Sequence, residues 1–257
     1  MAGKGTELID RLAHVRAMRR WARAADGAGE FDLERLRTLR ARARGLRSHL
    51  DRLLFQAEER LALPAEGSNR FQRPHGTEWA WRPDLWRGRL NVPGLSSVQS
   101  REKMGDGVTL FHDCRHSELT LRQMRNRREA DLAPYGLQMD VFNFDGSFLS
   151  LVVDLPESAT EGLNKSHIIR MGCIVEMEKP LEIFARLNVK HGPNTEQIVR
   201  EVPLGEDQVM VEFDLAYSNL NEKRVEKGWV DLIFEGPEMN QVTLRDLTFL
   251  RRPRANL

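Results

Sequence analysis

The stretch FHDCRHSE gathers residues that could share one chemistry. At strand spacing His112, Cys114 and His116 project from the same side, two residues apart, and imidazole and thiolate are ordinary zinc ligands. Asp113 and Glu118 would add oxygen donors. No second ligand pair follows at zinc-finger spacing, and the other cysteine, Cys173, lies in an apolar run. The competing reading is therefore a small buried thiol flanked by structural histidines. A Cys–His nucleophile would need an orienting partner, and no motif marks one.

A second constellation emerges from strand phase. In 181–190 the alternation puts Phe184, Arg186 and Asn188 on the face opposite Ile183, Ala185 and Leu187. In 208–216 it puts Glu212 and Asp214 outward, and in 229–235 it opposes Trp229 and Asp231 to Val230 and Leu232. If these strands are neighbours, the seven side chains form one polar sheet face edged by two rings. An amide, a fixed guanidinium, carboxylates and an indole suit a hydroxyl-rich ligand. The bland alternative is a wet face with cross-strand ion pairs, each contributing about 0.2–1 kcal/mol. The hairpin tip KHGPNT, with Lys190, His191 and Asn194, is then the rim of that face or merely its end. Glu212 and Asp214 also pose glycoside hydrolysis, which needs two acids flanking a bond, but carboxylates two apart on a strand are commonplace. The sequence carries no phosphate loop, dinucleotide fingerprint, G-x-S-x-G elbow or EF-hand loop. The expectation is a non-enzymatic protein that uses no cofactor or metal.

The elements that must position these residues fall into three stretches. Residues 1–63 read as helical. TELIDRLAHVRAMRRWARA is broken by DGAGE, and a second helix starts with Asp32 as its N-cap. Along it Leu36, Leu39, Ala43, Leu46, Leu50, Leu53 and Ala57 recur at spacings of three and four, a coiled-coil seam. The seam needs a partner, either the first helix folded back or a second subunit, so a homodimer through Leu36, Leu39, Leu46, Leu50 and Leu53 is one expectation. Arg35, Arg37, Arg40, Arg42, Arg44 and Arg47 lie off the seam. They offer a phosphate-binding face or simply a solvated one. No ring interleaves with them as base stacking would want, which speaks against nucleic acid.

Residues 64–107 form a strap rich in Pro, Gly and Ser that holds three of the five tryptophans, Trp79, Trp81 and Trp86. These predict a segment clamped across another surface. From 108 to 257 the period becomes two. VTLFHDC, LQMDVFNF, SFLSLVVDL, HIIRMGCIVEME, LEIFARLNVK, TEQIVREV, QVMVEFDLAY, GWVDLIFE and QVTLRDLTFL read as strands separated by turns. Only ELTLRQMRNRREADL is open between helix and strand. About nine short strands with no helices between them predict a mainly β fold, an antiparallel jelly-roll β-sandwich preceded by a helical hairpin or coiled-coil module.

Charge divides along the same lines. Residues 1–63 hold 14 Lys/Arg against 9 Asp/Glu, and the remaining 194 hold 25 against 29. The asymmetry suggests two modules with different partners, or two that attract each other. No apolar run is long enough for a transmembrane helix. The first twenty residues lack the apolar core of a secretory signal. With two cysteines, the expectation is a cytoplasmic chain with reduced thiols.

LEIFARLNVK, MVEFDLAYSN and KGWVDLIFEGPEMNQVTLRDLTFLRRP together resemble the ending of galactose-binding-like jelly-roll modules, of the kind used as carbohydrate-binding modules. In those a "fARv" strand precedes a strand delivering a Trp, and a closing strand follows, here Val242 to Leu250. The resemblance covers roughly residues 140–252. The chain as a whole also resembles a bacterial family of unknown function, which implies no activity. The jelly-roll resemblance implies a binding fold, often for glycans and sometimes for proteins. The expected function is ligand binding, with a glycan in view and the helices serving self-association or docking. The alternatives are a protein–protein adaptor without a small ligand, whose mark would be a flat apolar patch, and a metal-dependent enzyme.

Overall fold

A computed structural model describes residues 4–62, 71–128, 130–204 and 208–254. Period-two alternation turns into strands whose odd or even members are sealed together, and the chain divides into two units, residues 1–61 and 62–257.

The first unit contains α1 (Lys4–Asp26) and α2 (Leu33–Ala62) around a short 3-10 turn. Asp32 caps α2 as its chemistry predicts. Its Oδ1 accepts from the Arg35 amide at 2.8 Å, satisfying one of the orphan donors of the first turn. Leu36, Leu39 and Ala43 are half-buried, whereas Leu46, Leu50 and Leu53 are 41%, 48% and 60% exposed. The lower half of the seam thus lacks a cover within this chain's described residues. Among those residues, no helix is long and apolar enough to cross a membrane.

The second unit is the sandwich. In chain order it comprises β1 (Trp79–Trp81), α3 (Asp84–Arg87), β2 (Gly94–Ser96), β3 (Glu102–Lys103), β4 (Val108–His112), β5 (Leu119–Arg125), β6 (Tyr135–Val141), β7 (Leu149–Asp154), α4 (Glu157–Thr160), β8 (His167–Met177), β9 (Glu182–His191), β10 (Asn194–Glu201), β11 (Val209–Asp214), β12 (Val225–Glu235) and β13 (Asn240–Pro253). One sheet runs β11-β8-β13-β6-β5-β2, with β1 paired to β13. The other runs β10-β9-β12-β7-β4-β3. All these pairings are antiparallel. Met171, Phe213, Leu247 and Phe249 from the first sheet meet Leu110, Leu151, Leu187, Val230 and Leu232 from the second in a single core.

The segment expected as a strap is woven into this unit. It donates β1 and β2 to one sheet and β3 to the other. Trp86 is fully buried and its indole N–H donates to the Leu244 carbonyl at 2.9 Å. The open choice at ELTLRQMRNRREADL resolves as a strand over Leu119–Arg125, because Leu119 and Leu121 are needed in the core while Thr120 and Arg122 pair along β6.

Candidate functional site

The hairpin that displays the predicted polar face is built by sequence chemistry. β9 and β10 are joined by Gly192–Pro193 alone, with His191 opposite Asn194. Gly192 sits at φ 59°, which suits glycine at the first position of a tight hairpin turn. β12 then lies on the other side of β9, and β7 beyond it. Register decides which outward residues meet. Asn188, Trp229 and Asp154 form one cross-strand row. Arg186, Asp231 and Val152 form the next, and Phe184, Ile233, Ser150 and Phe111 the third.

These rows enclose an open trough of about 660 Å³. Phe111, Phe148, Trp229 and Ile233 supply its apolar lining, and Ser150, Asp154, Arg186, Lys227 and Asp231 its polar groups. Asp231, only 3% exposed, is the hub. Its Oδ2 accepts from Arg186 Nε at 2.7 Å and from Asn188 Nδ2 at 3.1 Å, and Arg186 Nη2 stands 2.5 Å away. Gln197 on β10 extends the chain by donating to Asn188 Oδ1 at 2.9 Å. A buried carboxylate held by a guanidinium and an amide is fixed in place rather than mobile. The Lys227 ammonium lies 5.2 Å from the Trp229 ring centroid, a cation–π contact.

Ser150 is the anomaly of the face. It is 7% exposed, lines the trough, and its hydroxyl has no hydrogen-bond partner. Leaving such a group unpaired costs about 1–3 kcal/mol, a cost that an incoming hydroxyl or carbonyl would relieve.

Of the seven side chains singled out by phase, five share this face: Phe184, Arg186, Asn188, Trp229 and Asp231. Arg186, Trp229 and Asp231 line the trough itself, Asn188 buttresses it, and Phe184 flanks Ile233. Glu212 and Asp214 do not belong with them. They sit on β11, at the edge of the opposite sheet, paired with Arg170 and Ile168 across β8. There Glu212 Oε1 accepts from Arg170 at 2.6 and 2.9 Å and from Arg252 at 3.1 Å. Burial works to raise its carboxyl, but these hydrogen bonds outweigh it and hold the group below its ordinary range. Asp214 caps the following 3-10 turn through the Ala216 amide at 3.0 Å and pairs with Arg254. Their strand has the same alternation as β9 and β12, and alternation carries no record of which sheet a strand joins.

Phe111, Phe148, Ser150, Val152 and Asp154 were not singled out, although the signal was present. In SFLSLVVDL, Phe148, Ser150, Val152 and Asp154 share one phase, opposite the buried Leu149, Leu151 and Val153.

The FHDCRHSE cluster is committed to structure. His112 is buried, its Nδ1 accepts from the Cys114 amide at 3.2 Å, and its Nε2 stands 2.9 Å from the Val98 carbonyl. An imidazole that accepts at one nitrogen must donate at the other, so no lone pair is left for a metal. His116 is exposed. Asp113 accepts from the Ser147 amide at 2.7 Å, its hydroxyl at 2.6 Å and the Phe148 amide at 3.2 Å, tying the β6–β7 turn. Burial pushes the Cys114 thiol up, and Cys173 is pushed up to about 12 by burial and then by the charge of Asp246. Neither is an activated thiolate. Among the described residues, no three His, Cys, Asp or Glu side chains group as metal ligands.

No curated protein matches the sequence. Solved structures that resemble the chain include the enzymatically active domain of tailspike protein 4 from bacteriophage CBA120, at 9% identity and a TM-score of 0.40, covering 60% of this chain and 21% of that one. The family 11 carbohydrate-binding module from Clostridium thermocellum, in complex with a beta-1,3-1,4-mixed-linked tetrasaccharide, is 10% identical with a TM-score of 0.39, covering 63% of this chain and 97% of the module. The CBM22-1 xylan-binding domain from Paenibacillus barcinonensis is 12% identical with a TM-score of 0.34, covering 63% and 94%. Over residues 1–257 the sequence matches the model described as family of unknown function (DUF6478), and the chain belongs to that family.

Proposed function

We propose that this protein binds a glycan, without catalysis, in the trough on the outer face of the six-stranded sheet. The observation that carries the reading is the unpartnered Ser150 hydroxyl set among rings and a pre-assembled polar hub. A sugar ring presents C–H faces and hydroxyl edges together. Trp229, Phe111 and Phe148 offer apolar contact to the first, while Ser150, Arg186 and Asp154 face the second. Asp231 already accepts from Arg186 and Asn188. That makes it an orienting group rather than a proton carrier, which supports binding over hydrolysis.

A glycan-array screen of the full chain tests this, with hits followed by titration. Trp229→Ala and Ser150→Ala are expected to weaken binding at least tenfold and about three- to tenfold respectively. Glu212→Gln, on the opposite sheet, should leave it unchanged. A folded protein that binds no glycan, or one whose binding survives Trp229→Ala, would overturn the reading.

A second reading concerns the helical unit. The exposed Leu46, Leu50 and Leu53, at heptad spacing, support self-association through α2 with a second copy of the chain.

A further inference from the structure

The first unit holds a cavity of its own, a cleft of about 590 Å³ between α1 and α2. Arg16, Arg19, Arg20 and Arg23 line it from α1, and Arg35 and Arg42 from α2. The spacing explains the convergence. Positions 16, 19, 20 and 23 follow one stripe of α1, and 35, 38, 39 and 42 follow one stripe of α2, with Phe31 just ahead of that helix. Stripes that confront another helix ordinarily carry apolar residues. Here they carry six guanidinium groups, with Phe31, Thr38, Leu39 and Ala24 between them.

Like charges brought into one cleft repel, and an occupant of opposite charge removes that cost. Among the described residues, no side chain does so. None of the described residues lining the cleft is acidic, and among the described residues none of the six arginines has an ion-pair partner. Asp32 is engaged by the Arg35 amide as the helix cap, and Glu34, the neighbour of Arg35 in sequence, does not line the cleft. The contrast with the sandwich is direct, since Arg82, Arg170, Arg186, Arg245 and Arg252 all meet carboxylates there. Arg35 is also held in place, its guanidinium carbon 3.9 Å from the Phe31 ring centroid.

We propose that this cleft binds a compact, multiply phosphorylated small molecule. Guanidinium forks match phosphate oxygens two by two, and a single phosphate would leave most of six charges unanswered. The volume falls in the range of small-molecule sites, about 300–1,000 Å³. Arg37, Arg40 and Arg44, which a long polyanion or a flat anionic surface would also engage, lie outside the cleft. The proposal is independent of the glycan trough.

Calorimetric titration of the full chain with tripolyphosphate, ATP and orthophosphate tests it. Tripolyphosphate is expected to bind once per chain, at least tenfold more tightly than orthophosphate and more weakly as salt rises. Arg19→Ala combined with Arg35→Ala should lower that affinity at least tenfold. Arg40→Ala combined with Arg44→Ala removes the same charge from outside the cleft and should change it less than twofold, with helicity checked by circular dichroism for both pairs. Equal affinity for ATP would assign the site to the phosphate chain alone, and tighter ATP would assign it to a nucleotide. Absence of tripolyphosphate binding, equal losses from the two pairs, or an oligoribonucleotide that binds more tightly with length-dependent stoichiometry would each overturn the proposal.

Discussion

Arg82 and Asp246 form the most deeply buried ion pair of the sandwich, with Nε and Nη2 donating to the two carboxylate oxygens at 2.8 Å each. The pair links the β1–α3 segment to β13, where the register with β8 shifts between Leu244 and Asp246. Removing one member leaves the other charge buried and unanswered, which costs about 3–5 kcal/mol. Arg82→Met is therefore expected to lower unfolding stability by about that amount, read from the urea midpoint at constant slope. The double variant Arg82→Met/Asp246→Leu should recover much of the loss, because two apolar groups restore consistency. A loss under about 1 kcal/mol from the single change would show that the pair does not anchor the strap. Arg186–Asp231 has similar chemistry but a different setting, since the Arg186 side chain stays 36% exposed on the trough. Its loss is expected to register in ligand affinity more than in stability.

Strands and helices were legible in the sequence because each has a period that a single stretch of chain reveals. The face of β9 and β12 followed directly, since Arg186 and Asp231 share phase and the two strands are neighbours. What alternation could not supply was the partition into sheets. β11 follows β10 in the chain yet pairs with β8, where Glu212 lies 42 residues beyond its partner Arg170, so Glu212 and Asp214 left the predicted site. The strap showed the same limit, for WAW and DLWR have no period to read, and their place depends on Asp246 and the Leu244 carbonyl far along the chain. α2 raises the converse case, an element whose period outruns its cover. With Leu46, Leu50 and Leu53 exposed at heptad spacing, light scattering of the full chain is expected to give a dimer. Leu46→Glu with Leu50→Glu should convert it to a monomer while leaving helicity intact. A wild-type monomer at micromolar concentration would remove the seam from consideration.

At the scale of the whole sandwich, its first and last strands are tied together by a histidine. His167 opens β8, lies opposite Pro253 on β13, and its Nε2 stands 3.1 Å from Glu78 just before β1. Its Nδ1 accepts from the Asn164 amide at 3.1 Å, so the ring is neutral with its proton on Nε2. Burial, and behind it the positive charge of Arg251, push the imidazole below its ordinary 6.5, against the opposing pull of Glu78 and Glu222. A histidine whose folded pKa is depressed binds fewer protons folded than unfolded. Its contribution is complete above the unfolded value of about 6.5 and declines as pH falls below it. Carboxylates add to the decline further down. In Glu212 and Asp140 hydrogen bonds outweigh burial and hold the groups low, so their contributions are lost as pH falls through the ordinary carboxylate range. Thermal unfolding is expected to show a first fall in melting temperature as pH drops below about 6.5 and a second below about pH 4.5. His167→Gln keeps a donor toward Glu78 but cannot be charged, so it should start less stable at pH 8 and lose the first step while keeping the second. A variant profile parallel to the wild type across both windows would place the first step elsewhere and leave His167 a spectator of the closure it bridges.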